Sequence, residues 1–598
     1  MKLKRTFISI VALMLAVCLM PTALAATWYL EDGDITVIAN ENGQSVKQGN
    51  NDAVADSDTV ITQRDSEKAT DNTITVSTTD DATANITIED VNINSYGDAI
   101  DVGSSGANIT LEGDNKLNSE YGSGLHVSDG DVTITGSGSL EAGSKNDSNN
   151  NAAIGSHENE AMSGDITIGG DAQVTAVSRD DGAGIGSGDM GEMSGDITIG
   201  DNAQVTAWSE TGGAGIGSGR ESNMSGNITI GGSAQVTAGS NSETAGIGSG
   251  NNGVFTSTGR VVIRDSAKVT AIGENEGAGI GTGEDELMAG MIIIQDNAQV
   301  TAIAGDRAAA IGSDNLDEMT GTIIIIGNAR VTTGILDDDD VYFDYNTKEI
   351  KYTLDENAIG YIGDSKYSNH ESDEGHYIIG PDVTINGISG SDIEALKDYI
   401  NMRLSGENHN GEPENLTKLD VRSENGEFTV TAEGEGAVEK ILYGGSENVP
   451  TAPGTYPVTC VVRIGEETIE FQIGTYGVPE PAPQPEPMAH HERIQLYRIA
   501  DKQGRSIAYK AVQKGGVLTI TTDEKEAQLI IEHGGLFALS RQGITKIVFV
   551  TASRKSVISV SAAMEKGSGE FVLLHSYRKV KLTIAGAAVD ADGILIKE

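Results

Sequence analysis

The chain has 598 residues and a formal net charge of −49, with 89 acidic and 40 basic side chains. This excess of negative charge disfavours nucleic acid as a partner, because binding to phosphates depends on lysine and arginine. Divalent cations, cationic surfaces and neutral or calcium-bridged glycans remain open. The simpler interpretation is that acidic loops keep an exported protein soluble.

The first 25 residues have the pattern of an export signal. Basic residues precede the apolar run Phe7 to Met20, and the sequence A-L-A ends at Ala25. The run is too short to cross a bilayer. We therefore predict a signal peptide over residues 1–25 and a secreted, cell-surface protein without a transmembrane span in the mature chain. Cys460 is then the single remaining cysteine, so no intrachain disulfide is expected.

Residues 26–70 are polar and contain short apolar alternations such as Ile35-Thr36-Val37. An array of stacked strands needs its end covered, because an exposed last coil is an unpaired sheet edge. We predict that residues 26–70 form an N-terminal cap.

Between Asn151 and Gly334 nearly the same sequence occurs six times, with the copies 31 or 33 residues apart. Each copy reads approximately A-G-I-G-S-G, a loop, M-S-G-D-I-T-I, a turn and A-Q-V-T-A. Apolar and polar residues alternate as they do in strands, and self-similarity at this period indicates a solenoid. The sequence predicts an all-β chain with a parallel β-helix, including a C-terminal cap, over residues 71–385. A buried column should recur at Met162, Met193, Met224, Phe255, Met288 and Met319.

Upstream, the sequence contains N-I-T-I-E-D-V-N-I, G-D-A-I-D-V, I-T-L-E-G-D-N-K-L and D-V-T-I-T-G-S-G-S-L. Together with the repeats, these motifs resemble the repetitive β-helix regions of exported surface proteins from Gram-positive, often gut-dwelling, bacteria. They are more distantly similar to calcium- and polysaccharide-binding parallel β-helix proteins. The resemblance covers about Asn72 to Gly334 and implies the architecture, and no binding residue is carried over from it.

After the repeats come an acidic run and a tract rich in aromatic residues. The run Asp337, Asp338, Asp339 and Asp340 is the candidate calcium site, and a solvated acidic loop is the alternative. Tyr342, Tyr345 and their aromatic neighbours either plug the C-terminal end of the β-helix or form a platform on which sugars stack.

Residues 386–477 are predicted to form an immunoglobulin-like module with one short helix. Ser391-Asp392-Ile393-Glu394 is a capping box that places this helix near Asp392 to Leu404, and P-T-A-P-G-T-Y-P-V-T-C-V-V resembles the last hairpin of bacterial immunoglobulin-like surface modules. Residues 478–488 contain V-P-E-P-A-P-Q-P-E-P-M, a stiff linker. Residues 489–598 read as a small all-β domain.

The repeated glycines suggest a binding surface. In A-G-I-G-S-G the alternation would place Gly184 and Gly186, and Gly215 and Gly217 one copy later, on an outward strip of bare backbone. A flat ligand could approach such a strip, although tight corners alone could also require glycine. With Trp208, Tyr342 and Tyr345, these glycines are the candidate ligand-binding residues.

Catalysis is not expected, because the paired carboxylates, histidines and basic residues of β-helix lyases and hydrolases are not found in order. The histidines show no metal spacing apart from His490-His491, and His126 is expected to point outward. The sequence favours a secreted, monomeric, adhesin-like protein that binds polysaccharide or another cell-surface glycan or protein, with calcium as the candidate ion. A polysaccharide lyase or glycoside hydrolase and a passive stalk are the alternatives.

Overall fold

The computed structural model describes most of the chain beyond the predicted export signal. The described residues are 26–79, 82–144, 146, 149–284, 287–313, 319–355, 358, 360–363, 375–397, 399–400, 415–424, 427–465, 467–478, 496–531, 535–566, 569–577, 579–591 and 593–596. The predicted signal peptide, and all of the predicted linker except Val478, lie outside them.

Three long sheets, here sheets 1, 2 and 3, are built from strands that follow one another in turn along the chain. Within each sheet a strand pairs in parallel with the equivalent strand of the next copy, so that Ile185 pairs with Ile216 and Val205 pairs with Val236. The structure confirms an all-β chain with long parallel sheets. Because their strands recur once per copy, the arrangement is consistent with the predicted β-helix, and we call the part built from sheets 1 to 3 the solenoid.

The strands have the following bounds. Sheet 1 contains Thr27–Tyr29, Thr59–Thr62, Thr83–Glu89, Gly106–Glu112, Val132–Gly136, Ile166–Ile168, Ile197–Ile199, Asn227–Ile230, Arg260–Ile263, Met291–Ile294, Thr322–Ile325, His376–Ile379, Leu416–Glu424 and Glu427–Gly434. Sheet 2 contains Asn92–Ser95, Asp114–Ser119, Ser139–Ser144, Gln173–Ser178, Gln204–Ser209, Gln235–Ser240, Lys268–Ile272, Gln299–Ala304, Arg330–Asp344, Thr384–Ile385 and Ile388–Ser389, with Glu349–Leu354 paired to Arg330–Asp344. Sheet 3 contains Val54–Ala55, Gly43–Gln48, Ile35–Asn40, Ile74–Thr78, Ile100–Gly103, Leu125–Val127, Ile154–Gly155, Ile185–Gly186, Ile216–Gly217, Ile247–Gly248, Ile280–Gly281, Ile311–Gly312 and Ile362–Gly363.

Inward side chains form columns along the solenoid. The predicted column at Met162 is confirmed: bridges join it to Met193, Met224, Phe255 and Met288 in turn, and all of these side chains are fully buried. Identical residues stacked at the spacing between neighbouring strands, about 4.8 Å, exclude water from one continuous core. This stacking holds the coils together without a disulfide.

Residues 26–70 add strands at one end of the solenoid, and a short helix lies near the other end. Residues 26–70 contribute strands to sheets 1 and 3, and Gly43–Gln48 folds back antiparallel on Ile35–Asn40. At the other end, helix α1 (Ile393–Leu396) begins where the capping box predicts, with the Asp392 carboxylate accepting a hydrogen bond from the Ala395 backbone N–H at 3.3 Å. Leu396 is buried in the solenoid core. The helix ends at Leu396, so residues 397, 399 and 400 of the predicted helix are not helical. Residue 398 and residues 401–404 lie outside the described residues.

The first part of the aromatic tract lies along the side of the solenoid, whereas the sequence predicted an end plug or a sugar platform. Tyr377, later in the tract, is buried in the solenoid core. Arg330–Asp344 and Glu349–Leu354 form a hairpin, which we call the side hairpin, and Val341, Phe343 and Ile350 pack on outward residues of sheet 2. Those outward residues come from successive coils: Val177, Trp208, Ile272 and Ile303. At the tip, the Lys348 ammonium forms an ion pair with Glu141. The side hairpin therefore runs along the outer face of sheet 2, from the strand that begins at Arg330 back to the strand Ser139–Ser144.

The region predicted as an immunoglobulin-like module continues the solenoid, and that module is not confirmed. The strand Ile388–Ser389 pairs with Thr384–Ile385 in sheet 2, and Leu416–Glu424 extends sheet 1 in parallel. Ala437–Tyr443, Gly454–Ile464 and Glu467–Val478 form a separate antiparallel sheet. That sheet packs on the outward side chains of Ile293 and Ile324 in sheet 1. Cys460 lies buried in this layer, and burial raises the pKa of its thiol to about 12.

The chain divides into two compact units, residues 1–481 and 482–598. In the second unit, one sheet contains Tyr497–Ala500, Ala527–Ile531, Phe571–His575, Val580–Ile584 and Ala587–Ala588, and the other contains Lys510–Lys514, Val517–Thr521, Lys546–Val550, Lys555–Ser559 and Leu595–Ile596. Helices α2 (Gly535–Arg541) and α3 (Val560–Glu565) pack on the same core. The prediction of strands alone in this domain was therefore incomplete. Among the described residues of the chain, no helix combines the length and apolar character that a membrane crossing requires.

Candidate ligand-binding site

The four glycines of the predicted strip lie inside the wall of the solenoid. All four are buried. A Cβ on Gly184 would lie 2.6 Å from the Gly215 carbonyl oxygen, and one on Gly186, whose φ is +143°, would lie 1.7 Å from that of Gly217. The coils approach so closely here that a side chain does not fit. Close approach between coils therefore accounts for the glycines, and they do not present the exposed strip that the sequence predicted.

The predicted aromatic residues are divided between a buried ring and two partly exposed rings. Trp208 is fully buried beneath the side hairpin, so no face of its ring is open to a ligand. Tyr345 is 37% exposed, its ring lies 4.5 Å from the Arg179 guanidinium carbon, and its hydroxyl group bonds Glu210. Tyr342 is 53% exposed. The side hairpin thus covers Trp208 and places Tyr345 on the same face of sheet 2. Of the three predicted aromatic rings, that of Tyr342 is the most accessible to a ligand.

The acidic run lies in the backbone of the side hairpin. Asp337 is exposed, and the side chains of residues 338–340 lie outside what the structure describes. The calcium site at Asp337 to Asp340 stays a prediction.

A different aromatic pair is exposed near the start of the solenoid. Tyr96 and Tyr121 are 73% and 52% exposed, and their ring centroids are 4.7 Å apart at an interplanar angle of 45°. Ser95 and Ser119 are paired in sheet 2. Tyr96 comes directly after Ser95, and Tyr121 comes two residues after Ser119. The Tyr121 backbone N–H donates to the Tyr96 carbonyl at 3.0 Å. Two successive coils therefore hold the rings side by side at one corner.

The same corner carries a cluster of imidazole and carboxylate groups, which we call the histidine cluster: Asp98, Asp101, His126, His157 and Glu160. The rings of His126 and His157 stack with centroids 3.8 Å apart and planes 4° from parallel. His126 Nδ1 lies 2.9 Å from Asp101 and its Nε2 lies 2.8 Å from Glu160. His157 Nε2 lies 2.7 Å from Asp98.

The histidine cluster begins directly beside the aromatic pair. Asp98 follows Tyr96 by two residues, and its carboxylate accepts a hydrogen bond at 2.7 Å from the backbone N–H of Ser123, two residues after Tyr121. The Asn151 side chain donates to the Tyr121 carbonyl at 3.0 Å. Short stretches of backbone in three successive coils therefore connect the exposed rings to the histidine cluster.

Electrostatic contacts shift the pKa values of an imidazole, that of His126, and of a carboxyl group, that of Asp98. Burial lowers the pKa of His126, but hydrogen bonding to Asp101 and the negative charges of Asp98 and Glu160 outweigh it and raise this pKa to about 9. Burial raises the pKa of Asp98, but the hydrogen bond from His157 and its charge hold the pKa of this carboxyl below its ordinary value. At neutral pH the His126 imidazole is thus protonated and the Asp98 carboxyl is ionised.

The sequence contained only part of the signal for this site. The sequence predicted that His126 points outward but not that neighbouring polar side chains cover it and leave it 7% exposed, and the histidines were not expected to cluster. Alignment of Leu125 with Ile100 already places Asp101 beside His126, as the register shows. His157 follows its strand and enters the cluster through a loop, so strand periodicity alone could not place it.

A second polar cluster in the solenoid forms a closed ion pair. The Arg220 guanidinium lies 2.9 Å from the Asp181 carboxylate and 3.1 Å from that of Asp189. Asp189 is fully buried, and its burial raises the pKa of the carboxyl although Arg220 opposes the shift. A buried carboxylate with a bidentate guanidinium partner is satisfied by that contact, so we assign this pair a structural role.

Comparison of the chain with family models, with curated proteins and with solved structures finds no match. The geometry of the described residues is therefore the basis on which a function can be argued.

Proposed function

We propose that the chain is a secreted, non-catalytic surface protein whose solenoid binds polysaccharide at the Tyr96–Tyr121 corner. The observation that carries the proposal is the exposure of two neighbouring tyrosine rings beside the polar groups of the histidine cluster. Aromatic rings that are exposed as a pair cost hydration free energy, and they recover it when an apolar sugar face covers them.

The neighbouring polar groups would supply orientation. Asp98, Glu160 and His157 are partly exposed and carry hydrogen-bonding atoms, which can engage sugar hydroxyl groups at the edge of the stacked ring. The carboxylates disfavour an acidic glycan unless a cation bridges it, so a neutral polysaccharide is the favoured class.

The remaining parts of the proposal rest on sequence. The export signal and the resemblance to Gram-positive surface β-helix proteins support a location at the cell surface. The short hairpin motif supports an immunoglobulin-like origin for the layer over residues 437–478, where the structure has a three-stranded sheet. The protein would act as a monomeric adhesin, with calcium as an optional partner of its acidic loops.

The test is retention of the chain on insoluble neutral and acidic polysaccharides, with and without calcium. The double variant Tyr96→Ala/Tyr121→Ala should bind at least about tenfold more weakly, because each lost stacking contact removes roughly 1 kcal/mol. Tyr342→Ala is the matched control, since it removes another exposed tyrosine of the same solenoid.

The outcomes separate the alternatives. Equal loss in the control variant would move the binding site to the side hairpin, as the sequence suggested. A chain that binds none of the polysaccharides would be better described as a stalk. Release of reducing or unsaturated sugar ends during incubation would identify an enzyme.

A further inference from the structure

The two stacked imidazoles have a different environment at each end. At one end, His126 Nδ1 and His157 Nε2 face the Asp98 carboxylate, at 3.8 Å and 2.7 Å. At the other end, His126 Nε2 and His157 Nδ1 face Glu160, at 2.8 Å and 3.6 Å. One nitrogen of each ring is therefore directed to a shared carboxylate, while the opposite nitrogen is held by another.

We propose that Asp98, His126 and His157 bind one divalent transition-metal ion, such as Zn²⁺, with Glu160 as the carboxylate that orients the two imidazoles. One carboxylate oxygen of Asp98 and one ring nitrogen from each histidine all lie within 4.8 Å of one another. Two imidazoles and a carboxylate are a ligand set that Zn²⁺ accepts. A carboxylate on the far nitrogen of a ligating histidine is the usual orienting contact.

The surrounding charge favours a dication. Asp98, Asp101 and Glu160 surround the two rings, and Asp101 lies 2.9 Å from His126 Nδ1, where it can complete the ligand shell. Because imidazole is a better ligand for zinc, copper or nickel than for calcium, the donor set selects against the calcium that acidic loops alone would suggest.

The coils supply the ligands from a rigid frame. Asp101 and His126 pair within sheet 3, and the backbone N–H of Ser123 holds Asp98. One rearrangement is required, because parallel rings direct their nitrogen lone pairs in parallel planes. His157, whose side chain is 31% exposed, would supply the rearrangement by rotating about its terminal torsion, which is soft.

The site should occur once per chain. At the position of His126 the next coils have Gly155 and Gly186, with which it is aligned in sheet 3. At the position of His157 the next copies have Gly188 and Gly219. The later repeats therefore lack both imidazoles.

The test is calorimetric titration of the Ala26 to Glu598 chain with Zn²⁺, repeated with Ca²⁺ and with Co²⁺, whose visible absorption reports nitrogen ligation. All samples carry His490→Gln and His491→Gln, which remove the adjacent histidine pair near the linker. We expect one tight Zn²⁺ site and weak Ca²⁺ binding. Zn²⁺ should bind at least about tenfold more weakly after either His157→Gln or Glu160→Gln, and equally well after Glu158→Gln, the matched control on the same loop.

Thermal unfolding without metal shows whether each variant keeps the fold, and His157→Gln, at the more exposed histidine, is the variant expected to fold normally. Absence of tight Zn²⁺ binding in the parent chain, or unchanged affinity in folded His157→Gln, would overturn the proposal and leave an ion-paired cluster. Affinity that falls with Asp98→Asn but not with His157→Gln would also overturn it. Polysaccharide binding is measured separately, so the metal site and the proposed function can fail independently.

Discussion

At the scale of single residues, Gly186 shows how the repeats are constrained. Its φ of +143° and the 1.7 Å between an added Cβ and the Gly217 carbonyl oxygen leave no room for any other residue. We expect Gly186→Ala to lower the free energy of unfolding of the solenoid by about 3 kcal/mol or more, since both backbone strain and a clash with the next coil act together. Thermal unfolding measures the loss.

Gly200→Ala is the matched control for this prediction. Gly200 lies in a turn of the same copy, and an added Cβ there would meet nothing within 4 Å. The expected change is within about 0.5 kcal/mol. Equal stability of the two variants would contradict the close approach of coils at Gly186.

Residue-scale expectations succeeded where the repeat itself supplied the information. The column from Met162 to Met288 follows from spacing alone, because a side chain that is buried once per coil must stack on its equivalents. The prediction of an exposed glycine strip was incomplete. The alternation of residues along a strand indicates the direction of each side chain, but it does not show how closely the neighbouring coil approaches. Gly184 directly precedes its strand, and an added Cβ there would meet the backbone of Trp208.

At the scale of elements, the sequence carries a signal for the segments that cover the solenoid: outward residues of the repeat become apolar where another element packs on them. In sheet 1 the outward position is Thr198 and Thr229 in middle copies, then Val262, Ile293 and Ile324. Those last two isoleucines are covered by the three-stranded sheet. An outward position that turns apolar along a repeat predicts a covering element, although it does not identify which later segment provides it.

The side hairpin should depend on Trp208. This ring packs with Phe343 and Ile350 in one buried cluster, and its Nε1 has no hydrogen-bond partner, so its removal breaks no hydrogen bond. We expect Trp208→Ala to destabilise the hairpin contact by about 3 kcal/mol or more through lost burial. Faster hydrogen exchange in Glu349–Leu354 and proteolytic cleavage in the turn at residues 345–348 would report the release.

Tyr342→Ala is the control for the hairpin, because that ring is exposed and its loss should leave exchange unchanged. Unaltered exchange of Glu349–Leu354 after Trp208→Ala would show that Trp208 does not hold the hairpin.

At the scale of the whole molecule, the second compact unit should lose stability in mild acid. His575 is buried in the second unit between Thr551 and Ser556, at 3.2 Å and 2.8 Å, and burial together with the charge of Arg554 lowers its pKa from 6.5 to about 4. As the pH falls from about 6.5 to about 4, protons bind the unfolded chain before the folded one. The stability of this unit should therefore be full above pH 6.5 and decline through that window by up to about 3 kcal/mol.

Hydrogen exchange of Ala527–Ile531 at several pH values measures this decline. Because carboxyl groups titrate in the same range, the quantity to compare is the difference between the parent chain and His575→Gln, whose side chain does not titrate there. The variant should be less stable at pH 7 and should show a smaller change with pH. Parallel pH profiles for the two proteins would contradict a neutral, buried His575.

The architecture of the solenoid was predictable at this scale, because periodicity, strand alternation and turn residues all indicate the same stacked sheets. The candidate site was not, because it is built where copies differ. Tyr96, Tyr121, His126 and His157 lie in the irregular early coils and the first regular copy, and contacts between irregular positions leave no periodic signal.

The length of the side hairpin has a consequence for how this repeat array can change. Near-identical copies are easily gained or lost, and the stacked sheets of a solenoid tolerate either event because each coil contacts only its neighbours. The side hairpin begins with the strand that starts at Arg330, and Lys348 at its tip forms an ion pair with Glu141. Loss of one copy would shift that end by about 4.8 Å relative to its partner. The number of copies is therefore matched to the length of a segment outside the repeats, so copies cannot vary freely without losing the contacts of the hairpin.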